Sequence, residues 1–385
     1  MIYCDNAATT RPFDEVIDLM ADIMRNEYGN PSSLHKHGSK AKKLMETARQ
    51  QVANLFNCSS NEVIFTSGGT ESNNLAILGL AGWARQMAPH KNHLISCVTE
   101  HSSVYAAFKR LEEEKDPSGK NIWQISWLPV NEEGFISLDE LAELIGANTL
   151  LVSIMHANNE IGTIQDIDSI GRLCKAKGVY FHSDAVQSAG KIELNVTQSQ
   201  LDLLSISGHK LNGPKGIGAL FVREGIPLHP IMMGGSQERG LSPGTENIAA
   251  IAGLGKAAEL KQLNLQKEAE RLRGLQQALL EGFGDLAGIT INGPKDLTKR
   301  IPGNLNLSFE NIDGDTLVMR LNMKGICASS GSACSEGKIE PSRVILSLYP
   351  NKPHLAQNSL RLSLGHFNSA EELPQIIELI RQMSN

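Results

Sequence analysis

Short apolar runs alternate along the chain with longer segments in which apolar residues recur every three to four positions. The short runs predict strands buried on both faces, and they lie at residues 63–66, 93–98, 150–155, 179–182, 201–207 and 219–222. Residues 166–177 have helical spacing, and Ser137 followed by Glu140 is typical of a helix start. This alternation predicts an α/β fold with a mainly parallel sheet.

The pattern changes near Leu260. A charged helix is predicted at 268–282, a strand at 304–309 and an amphipathic helix at 371–383, around a Gly/Ser/Cys-rich stretch. We therefore expect a large cofactor-binding domain over 14–260 and a smaller α+β domain formed by 1–13 plus 261–385. Residues 329–359 show no regular pattern, and a loop of that length predicts a function.

Composition narrows the classes of partner. The 385 residues carry a formal charge of -6 without a block of Lys or Arg, which argues against direct binding of nucleic acid or an anionic membrane. The chain offers no signal-like start and no apolar stretch of membrane-spanning length, so we expect a cytoplasmic protein. Its six cysteines are scattered without a C-x-x-C pair, which favours a reducing compartment and a working thiol.

Metal binding is not expected. His35 and His37 lack neighbours that would complete a set of four ligands. Cys327 and Cys334 alone cannot hold an iron–sulfur cluster. We therefore predict no metal site.

Two polar side chains that follow predicted strands suit pyridoxal phosphate. Lys210 comes just after the strand at 201–207, and Asp184 ends another strand. Ligands of open α/β sheets bind at the carboxyl ends of the strands. A lysine can hold pyridoxal phosphate covalently, an acid at the ring nitrogen keeps the ring an electron sink, and Gln187 can reach the phenolic oxygen. Singly, Lys210 is also compatible with a solvated loop charge and Asp184 with a helix N-cap.

A glycine turn offers a phosphate site. Gly69 and Thr70 follow a strand and open a helix, so free backbone N–H groups and a hydroxyl converge there. Ser207 and His209 offer further donors. By itself such a turn is typical of an ordinary helix N-cap. The nearby candidate Lys210 favours its interpretation as a phosphate site.

His101 follows the strand at 93–98 and is expected at the same sheet edge. An imidazole there can stack on a cofactor ring and transfer protons. Without the other residues His101 would be interpreted as structural.

These segments resemble the class V aminotransferase family of pyridoxal-phosphate enzymes and, within it, the cysteine desulfurases. The similarity runs from Asp-Asn-Ala-Ala-Thr-Thr at 5–10 to Arg-Leu-Ser-Leu-Gly at 361–365. Residues 207–218 resemble the cofactor-lysine motif, and 329–334 resemble the catalytic-cysteine motif. The resemblance implies fold type I, the aspartate-aminotransferase-like fold, with pyridoxal 5'-phosphate as cofactor and conversion of L-cysteine to L-alanine.

The resemblance also implies the roles of the reacting residues. Cys334 would take the sulfur as a persulfide, while Lys210 and His101 share the proton transfers. About 27 residues separate Cys334 from Arg361, which resembles the group with a long catalytic loop. The persulfide would pass to sulfur-acceptor or iron–sulfur scaffold proteins, with tRNA thiolation as a further destination.

Substrate and subunit contacts follow by the same resemblance. Asn159 would lie near the phenolic oxygen and the substrate, and Asn30 belongs to a substrate-binding segment. Arg361 would clamp the substrate carboxylate. Thr245 would contact the cofactor phosphate of the partner subunit, which implies a homodimer.

The sequence departs from the family pattern at two places. Ser242 and Pro243 stand where the family commonly has Arg-Ser, so a positive charge is missing near the phosphate loop. Glu336 places a carboxylate close to Cys334 and would disfavour its thiolate.

Two other functions stay open. A pyridoxal-phosphate C–S lyase or a selenocysteine lyase needs little beyond Lys210, Asp184 and a carboxylate clamp. A non-catalytic scaffold for sulfur-assembly proteins would use the fold without its chemistry.

Overall fold

The computed structural model describes residues 1–284, 287–330 and 341–384. Its helices are α1 Asp14–Asn26, α2 Lys36–Phe56, α3 Gly69–Met87, α4 Ser102–Glu112, α5 Leu138–Leu144, α6 Ile167–Lys177, α7 Ile248–Phe283, α8 Gly314–Met323, α9 Arg343–Leu348, α10 His354–Gln357 and α11 Leu373–Ser384. Its strands are β1 Ile2–Tyr3, β2 Val63–Thr66, β3 His93–Cys97, β4 Gln124–Leu128, β5 Thr149–Ser153, β6 Tyr180–Asp184, β7 Leu203–Ser207, β8 Gly218–Val222, β9 Ile289–Ile291, β10 Asn304–Phe309, β11 Ile326–Cys327, β12 Ser329–Ser330 and β13 Ser359–Ser363.

The main sheet has the order β2-β8-β7-β6-β5-β3-β4. Strands β7, β6, β5, β3 and β4 run parallel, whereas β8 is antiparallel to both of its neighbours, β2 and β7. Because β8 is antiparallel to both β2 and β7, β2 runs in the same direction as β7. The carboxyl ends of β2, β3, β5, β6 and β7 therefore meet at one edge of the sheet, where ligands bind in this architecture. The predicted α/β fold is confirmed.

Helices cover both faces of this sheet because its strands are apolar on both sides. In β3, Leu94 packs in one cluster with residues of α3 and α4, whereas Ile95 packs in another cluster with residues of α2, α6 and α7. Both side chains are 0% exposed. The alternation of side chains along a strand thus explains why the strand sequences read as continuous apolar runs.

A smaller antiparallel sheet, β12-β13-β10-β9, packs with α8, α11 and the second half of α7. The first half of α7 packs against the main sheet through Leu254 and Ala257, and the second half packs in the other core through Leu272 and Leu279. The helix predicted at 268–282 is the second half of this longer helix. Since α7 is continuous through residues 260 and 261, the proposed domain limits stay a prediction.

Throughout the described ranges, no helix is both long enough and apolar enough to cross a bilayer. The long helix α7 carries charged residues along its second half, such as Glu268 and Arg271, which form a salt bridge with each other. The length of α7 allows it to pack in both hydrophobic cores.

Candidate active site

A cavity of about 210 Å³ opens at the shared carboxyl edge of the main sheet. It brings together residues predicted from five separate segments of the sequence. Those that line it are Gly69, Thr70, His101, Asn159, Asp184, Gln187, Ser207, His209 and Lys210. The convergence follows from the topology, because each of these residues lies at or soon after the end of a strand that points to this edge.

Lys210 ends the single 3-10 turn Gly208–Lys210 that follows β7. Its side chain is buried, with the residue 9% exposed, and its Nζ donates to the backbone carbonyls of Ala7 and Ala8, the latter at 2.5 Å. The N-terminal segment therefore positions the amine. Ala7 and Ala8 lie in the quoted 5–10 motif, but nothing in an alanine side chain indicates a carbonyl contact.

Asp184 is 4% exposed at the end of β6. Its Oδ1 accepts from the backbone N–H of Val186 at 2.9 Å, and its Oδ2 accepts from the Nδ2 of Asn73 at 2.7 Å. The residues after Asp184 form turns, so it does not cap a helix. A buried carboxylate with two donors is ready to hold a protonated ring nitrogen.

Gln187 connects the N-terminal segment to the half-buried Lys191. Its Nε2 donates to the carbonyl of Ala7 at 2.9 Å, and its Oε1 accepts from the Nζ of Lys191 at 3.2 Å. Burial lowers the pKa of Lys191 to about 7, and the nearby charges of Lys210, Lys261 and Arg361 act in the same direction. Lys191 was not predicted from the sequence.

His101 caps α4 and contacts Ser103 twice. Its Nδ1 accepts from the backbone N–H of Ser103 at 3.2 Å and lies 2.8 Å from the Ser103 Oγ. Burial lowers the pKa of His101, Asp184 raises it, and Lys210 and Arg343 lower it further. The imidazole is therefore neutral near pH 7.

The N-terminus of α3 forms one end of the cavity. A Cβ added at Gly69 would lie 2.7 Å from the Cγ2 of Val186, so the position accommodates backbone but no side chain. Burial, with help from Lys210 and Lys215, lowers the pKa of His209 to about 4, and its Nδ1 lies 3.1 Å from the Oγ1 of Thr9. Unpaired N–H groups at a helix start suit a phosphate.

These observations fit pyridoxal phosphate. The cavity offers a buried lysine amine, a buried carboxylate held by two donors and a helix N-terminus, which are the three groups that the cofactor needs. Lys210, Asp184 and Gly69 would hold the aldehyde carbon, the ring nitrogen and the phosphate.

Arg361 lies beside the cavity rather than in its wall. It is 1% exposed, its Nη2 donates to Asp5 Oδ1 at 2.9 Å, and its Nη1 donates to the carbonyl of Asn159 at 3.1 Å. Its Nε is buried without a partner among the residues that the structure describes. A donor therefore remains on the guanidinium for a carboxylate.

Asn30 and Thr245 are exposed and lie outside the cavity of their own chain. The Asn30 Oδ1 accepts from the backbone N–H of Ser32 at 2.9 Å, within its own loop. Their roles in binding substrate and the partner's cofactor stay predictions. Ser242, at the position that departs from the family, donates to Glu71 Oε1 at 2.7 Å and so links its loop to the first turn of α3.

Cys334 and Glu336 lie outside the described residues, whereas both flanks of their segment are described. On one side, Ser329 pairs with Arg361 between β12 and β13. On the other side, the Nη2 of Arg343 donates to the carbonyl of Glu100 at 2.6 Å, directly before His101. Both flanks are therefore attached to residues beside the cavity.

A cavity with a buried lysine at the carboxyl edge of a mainly parallel sheet is the arrangement expected of enzymes that bind a cofactor aldehyde. A family model described as Aminotransferase class-V matches residues 2–376, and the chain belongs to this family. The fold type and the family predicted from the sequence are thereby confirmed.

Several relatives are similar over the whole chain. The chain is 43% identical to "Cysteine desulfurase IscS" of Clostridium botulinum strain Hall over 392 residues, which covers 100% of this chain and 96% of the relative. It is 42% identical to "Cysteine desulfurase" of Nostoc sp. strain PCC 7120, with coverage of 100% and 92%.

Solved structures agree. A "NifS-like protein" superposes with a TM-score of 0.90 at 35% identity, covering 99% of this chain and 98% of that one. "SspA in complex with cysteine" superposes with a TM-score of 0.81 at 33% identity, covering 96% and 100%.

Proposed function

We propose that this protein is a pyridoxal-phosphate-dependent cysteine desulfurase that forms L-alanine and a persulfide on Cys334. The observation that carries the proposal is the convergence of Lys210, Asp184 and His101 in one buried cavity. The names of the full-length relatives and of the structure that contains cysteine support the substrate and the reaction.

When bound, pyridoxal phosphate supplies the electron sink for the carbanion of the substrate. Asp184 keeps the ring nitrogen protonated, and its hydrogen bonds from Val186 and Asn73 hold the carboxylate in place. Lys210, whose Nζ donates to the carbonyls of Ala7 and Ala8, would provide the amine that holds the cofactor.

The amino-acid substrate requires a cation for its carboxylate. Arg361 carries a buried guanidinium whose Nε has no partner among the described side chains, and it contacts the backbone of Asn159 in the cavity wall. Its fixed planar donors suit a carboxylate. Arg361 is thus the residue that would select amino acids over amines.

The atoms and electrons of the sulfur-transfer step balance, so the step needs no external oxidant. The Cys334 thiolate attacks the substrate sulfur, a sulfur–sulfur bond forms, and the substrate carbon–sulfur bond breaks. The electron pair of that bond stays with the carbon skeleton, which two protons convert to alanine. His101, neutral by burial, and Lys210 move protons in these steps.

The described flanks support access of Cys334 to the cavity. Cys334 follows Ser330 by four residues, which in extended form span at most about 14 Å. Ser329 lies opposite Arg361, and Ser342 donates from its Oγ to Glu160, next to Asn159, at 2.5 Å. Both described flanks of residues 331–340 therefore lie beside the proposed substrate site.

The proposal extends to the assembly. In a homodimer, Thr245 of one subunit would contact the cofactor phosphate of the other, while Asn30 would belong to a substrate-binding segment. The persulfide on Cys334 would then pass to a sulfur-acceptor or iron–sulfur scaffold protein. The two-domain division at residues 260 and 261 belongs to the same proposal.

The test compares Cys334→Ser with Cys327→Ser, a half-buried cysteine of the same region. With L-cysteine and a thiol acceptor, we expect alanine formation to fall at least about a hundredfold in Cys334→Ser and to stay near wild type in Cys327→Ser. Mass spectrometry should find one extra sulfur atom on Cys334 of the wild type. Full sulfide release by Cys334→Ser would instead indicate a C–S lyase.

The absorbance of the purified protein tests the alternative of a non-catalytic scaffold. The purified protein should absorb in the near-visible range, and Lys210→Ala should lose the band of the lysine-bound cofactor. Lys215→Ala is the matched control, because this exposed lysine follows in the same loop. A wild type that stays colourless with added pyridoxal phosphate would contradict the proposal.

A further inference from the structure

A continuous hydrogen-bonded chain joins Asp184 to His101 through two residues that the sequence did not single out. The Nδ2 of Asn73 donates to Asp184 Oδ2 at 2.7 Å and to Ser103 Oγ at 2.8 Å. The same Ser103 Oγ lies 2.8 Å from the Nδ1 of His101. Asn73 and Ser103 are 1% and 7% exposed, so water does not replace these partners easily.

The orientation of the Asn73 amide is fixed by its neighbour. The opposite orientation would place the amide oxygen against the carboxylate oxygen of Asp184, where two acceptors repel. The Nδ2 must therefore face Asp184, and its two hydrogens go to Asp184 and to Ser103. Asn73 consequently acts as a double donor between two acceptors.

The direction of the Ser103 hydroxyl follows from this. A hydroxyl has one hydrogen and can accept twice, so the hydrogen of Ser103 stays available for the Nδ1 of His101, which lies 2.8 Å away and already acts as an acceptor for a backbone N–H. The backbone N–H of Ser103 donates to the same nitrogen at 3.2 Å. Two donors therefore point at Nδ1, and a proton on that nitrogen would meet both of them.

We propose that Ser103 is a positioning residue that makes Nδ1 of His101 an acceptor and so confines the imidazole proton to Nε2. His101 would then act in proton transfer with Nε2 alone. The catalytic consequence depends on the function proposed above, whereas the tautomer itself does not.

The charged groups that act on His101 come from three other elements. They are Asp184 at the end of β6, Lys210 after β7 and Arg343 at the start of α9. Asp184 favours the charged imidazole, while the two cations and burial disfavour it. The two donors of Ser103 oppose protonation of Nδ1 in addition, because the imidazolium needs that nitrogen as a donor.

The tautomer can be observed directly by ¹⁵N NMR. Purified full-length protein with ¹⁵N-labelled histidine gives well-separated shifts for protonated and bare ring nitrogens, and His101→Gln identifies the signals of His101. In the wild type we expect a bare Nδ1 and a protonated Nε2. A proton on Nδ1 would overturn the inference without any variant.

Three variants isolate the hydroxyl. In Ser103→Ala, which leaves only the longer backbone contact, we expect the titration midpoint of His101 to rise by about one pH unit. Ser103→Thr keeps a hydroxyl and should restore the wild-type midpoint. Ser102→Ala, at the exposed neighbouring serine, should leave it unchanged. An unchanged midpoint in Ser103→Ala would also overturn the inference.

Kinetics separates this inference from the proposed function. If the protein is a desulfurase, kcat/KM measured against pH should fall on the acidic side with an apparent pKa. In Ser103→Ala this pKa should rise by about one unit, as the titration midpoint of His101 does, whereas in Ser102→Ala it should not change. If the NMR results are as expected while the wild type does not convert L-cysteine, the proposed function fails and the tautomer assignment stands.

Discussion

The guanidinium of Arg361 and the carboxylate of Asp5 form an ion pair, with Nη2 and Oδ1 2.9 Å apart, although they come from opposite ends of the chain. Arg361 is 1% exposed, and the Asp5 side chain is 17% exposed. The pair joins the N-terminal segment, whose Ala7 and Ala8 carbonyls hold Lys210, to the strand β13. The ion pair thus holds the Arg361 guanidinium directly, and it attaches the N-terminal segment that contacts the Lys210 amine to β13.

Asp5→Asn should destabilise the protein by roughly 1–3 kcal/mol, because the substitution keeps the shape but leaves a buried guanidinium with less compensation. Thermal unfolding of the cofactor-free protein measures the effect. Asp14→Asn is the control, since Asp14 pairs with Arg11 on the surface with side chains 67% and 56% exposed. That change should cost at most about 1 kcal/mol, and equal losses would contradict a special role for Asp5.

Gly69→Ala should weaken the binding of pyridoxal phosphate by at least about tenfold, because the added Cβ would push the Cγ2 of Val186 towards the cavity. Titration of the cofactor absorbance measures the affinity. In the same helix, a Cβ at Gly82 would make an ordinary 3.7 Å contact with His229. Gly82→Ala should therefore leave affinity unchanged and increase stability by up to about 1 kcal/mol. Unchanged affinity in Gly69→Ala would contradict the assignment of the phosphate end.

Glu160 should make the protein less stable as the pH rises. Burial raises the pKa of Glu160 from 4.5 to about 7, although Ser342, Arg361 and Arg343 partly oppose the shift. The folded state therefore binds a proton that the unfolded state releases above pH 4.5, and stability falls between pH 4.5 and 7 by at most about 3 kcal/mol.

The measurement is unfolding temperature against pH. Glu160→Gln, which keeps an acceptor for Ser342, should flatten the decline between pH 4.5 and 7, whereas Glu143→Gln on the exposed face of α5 should keep the wild-type slope. Parallel curves for wild type and Glu160→Gln would show that this carboxyl group titrates normally.

Glu238→Gln should cost roughly 3–5 kcal/mol of stability. Glu238 has a side chain 4% exposed, holds Arg49 through both carboxylate oxygens, and accepts from the backbone N–H of Phe65 at 2.7 Å. Glu46 approaches the same guanidinium at 3.6 Å but is 51% exposed, so Glu46→Gln should cost less than about 1 kcal/mol. Chemical denaturation of both variants checks the difference, and similar losses would contradict it.

The sequence predicted the strands of the main sheet because their apolar runs are continuous and their length is limited by turns. Strand β4 was missed, since its residues at Gln124–Leu128 are partly exposed and mix polar with apolar side chains. Helix α7 was recognised only in its charged half. Its first eight residues, 248–255, carry no charge and are all buried, and a helix segment buried all round lacks the periodic contrast that indicates a helix.

The site also contains groups that the sequence could predict and groups that it could not. Lys210, Asp184 and His101 could be predicted because the proposed chemistry needs their side chains at the ends of strands, and Gly69 because a glycine turn there opens a helix after a strand. The carbonyls of Ala7 and Ala8 could not, because every residue has a carbonyl and only the path of the chain selects two of them.

The sequence by itself determined the fold class and the candidates for the reacting groups, since periodicity and residue chemistry are local properties. The tertiary structure decided which of those groups meet, how deeply Arg361 is buried against Asp5, and that Asn73 and Ser103 connect Asp184 with His101. These contacts join residues from distant parts of the chain, and hydrogen-bond direction and desolvation depend on the partners that packing brings together.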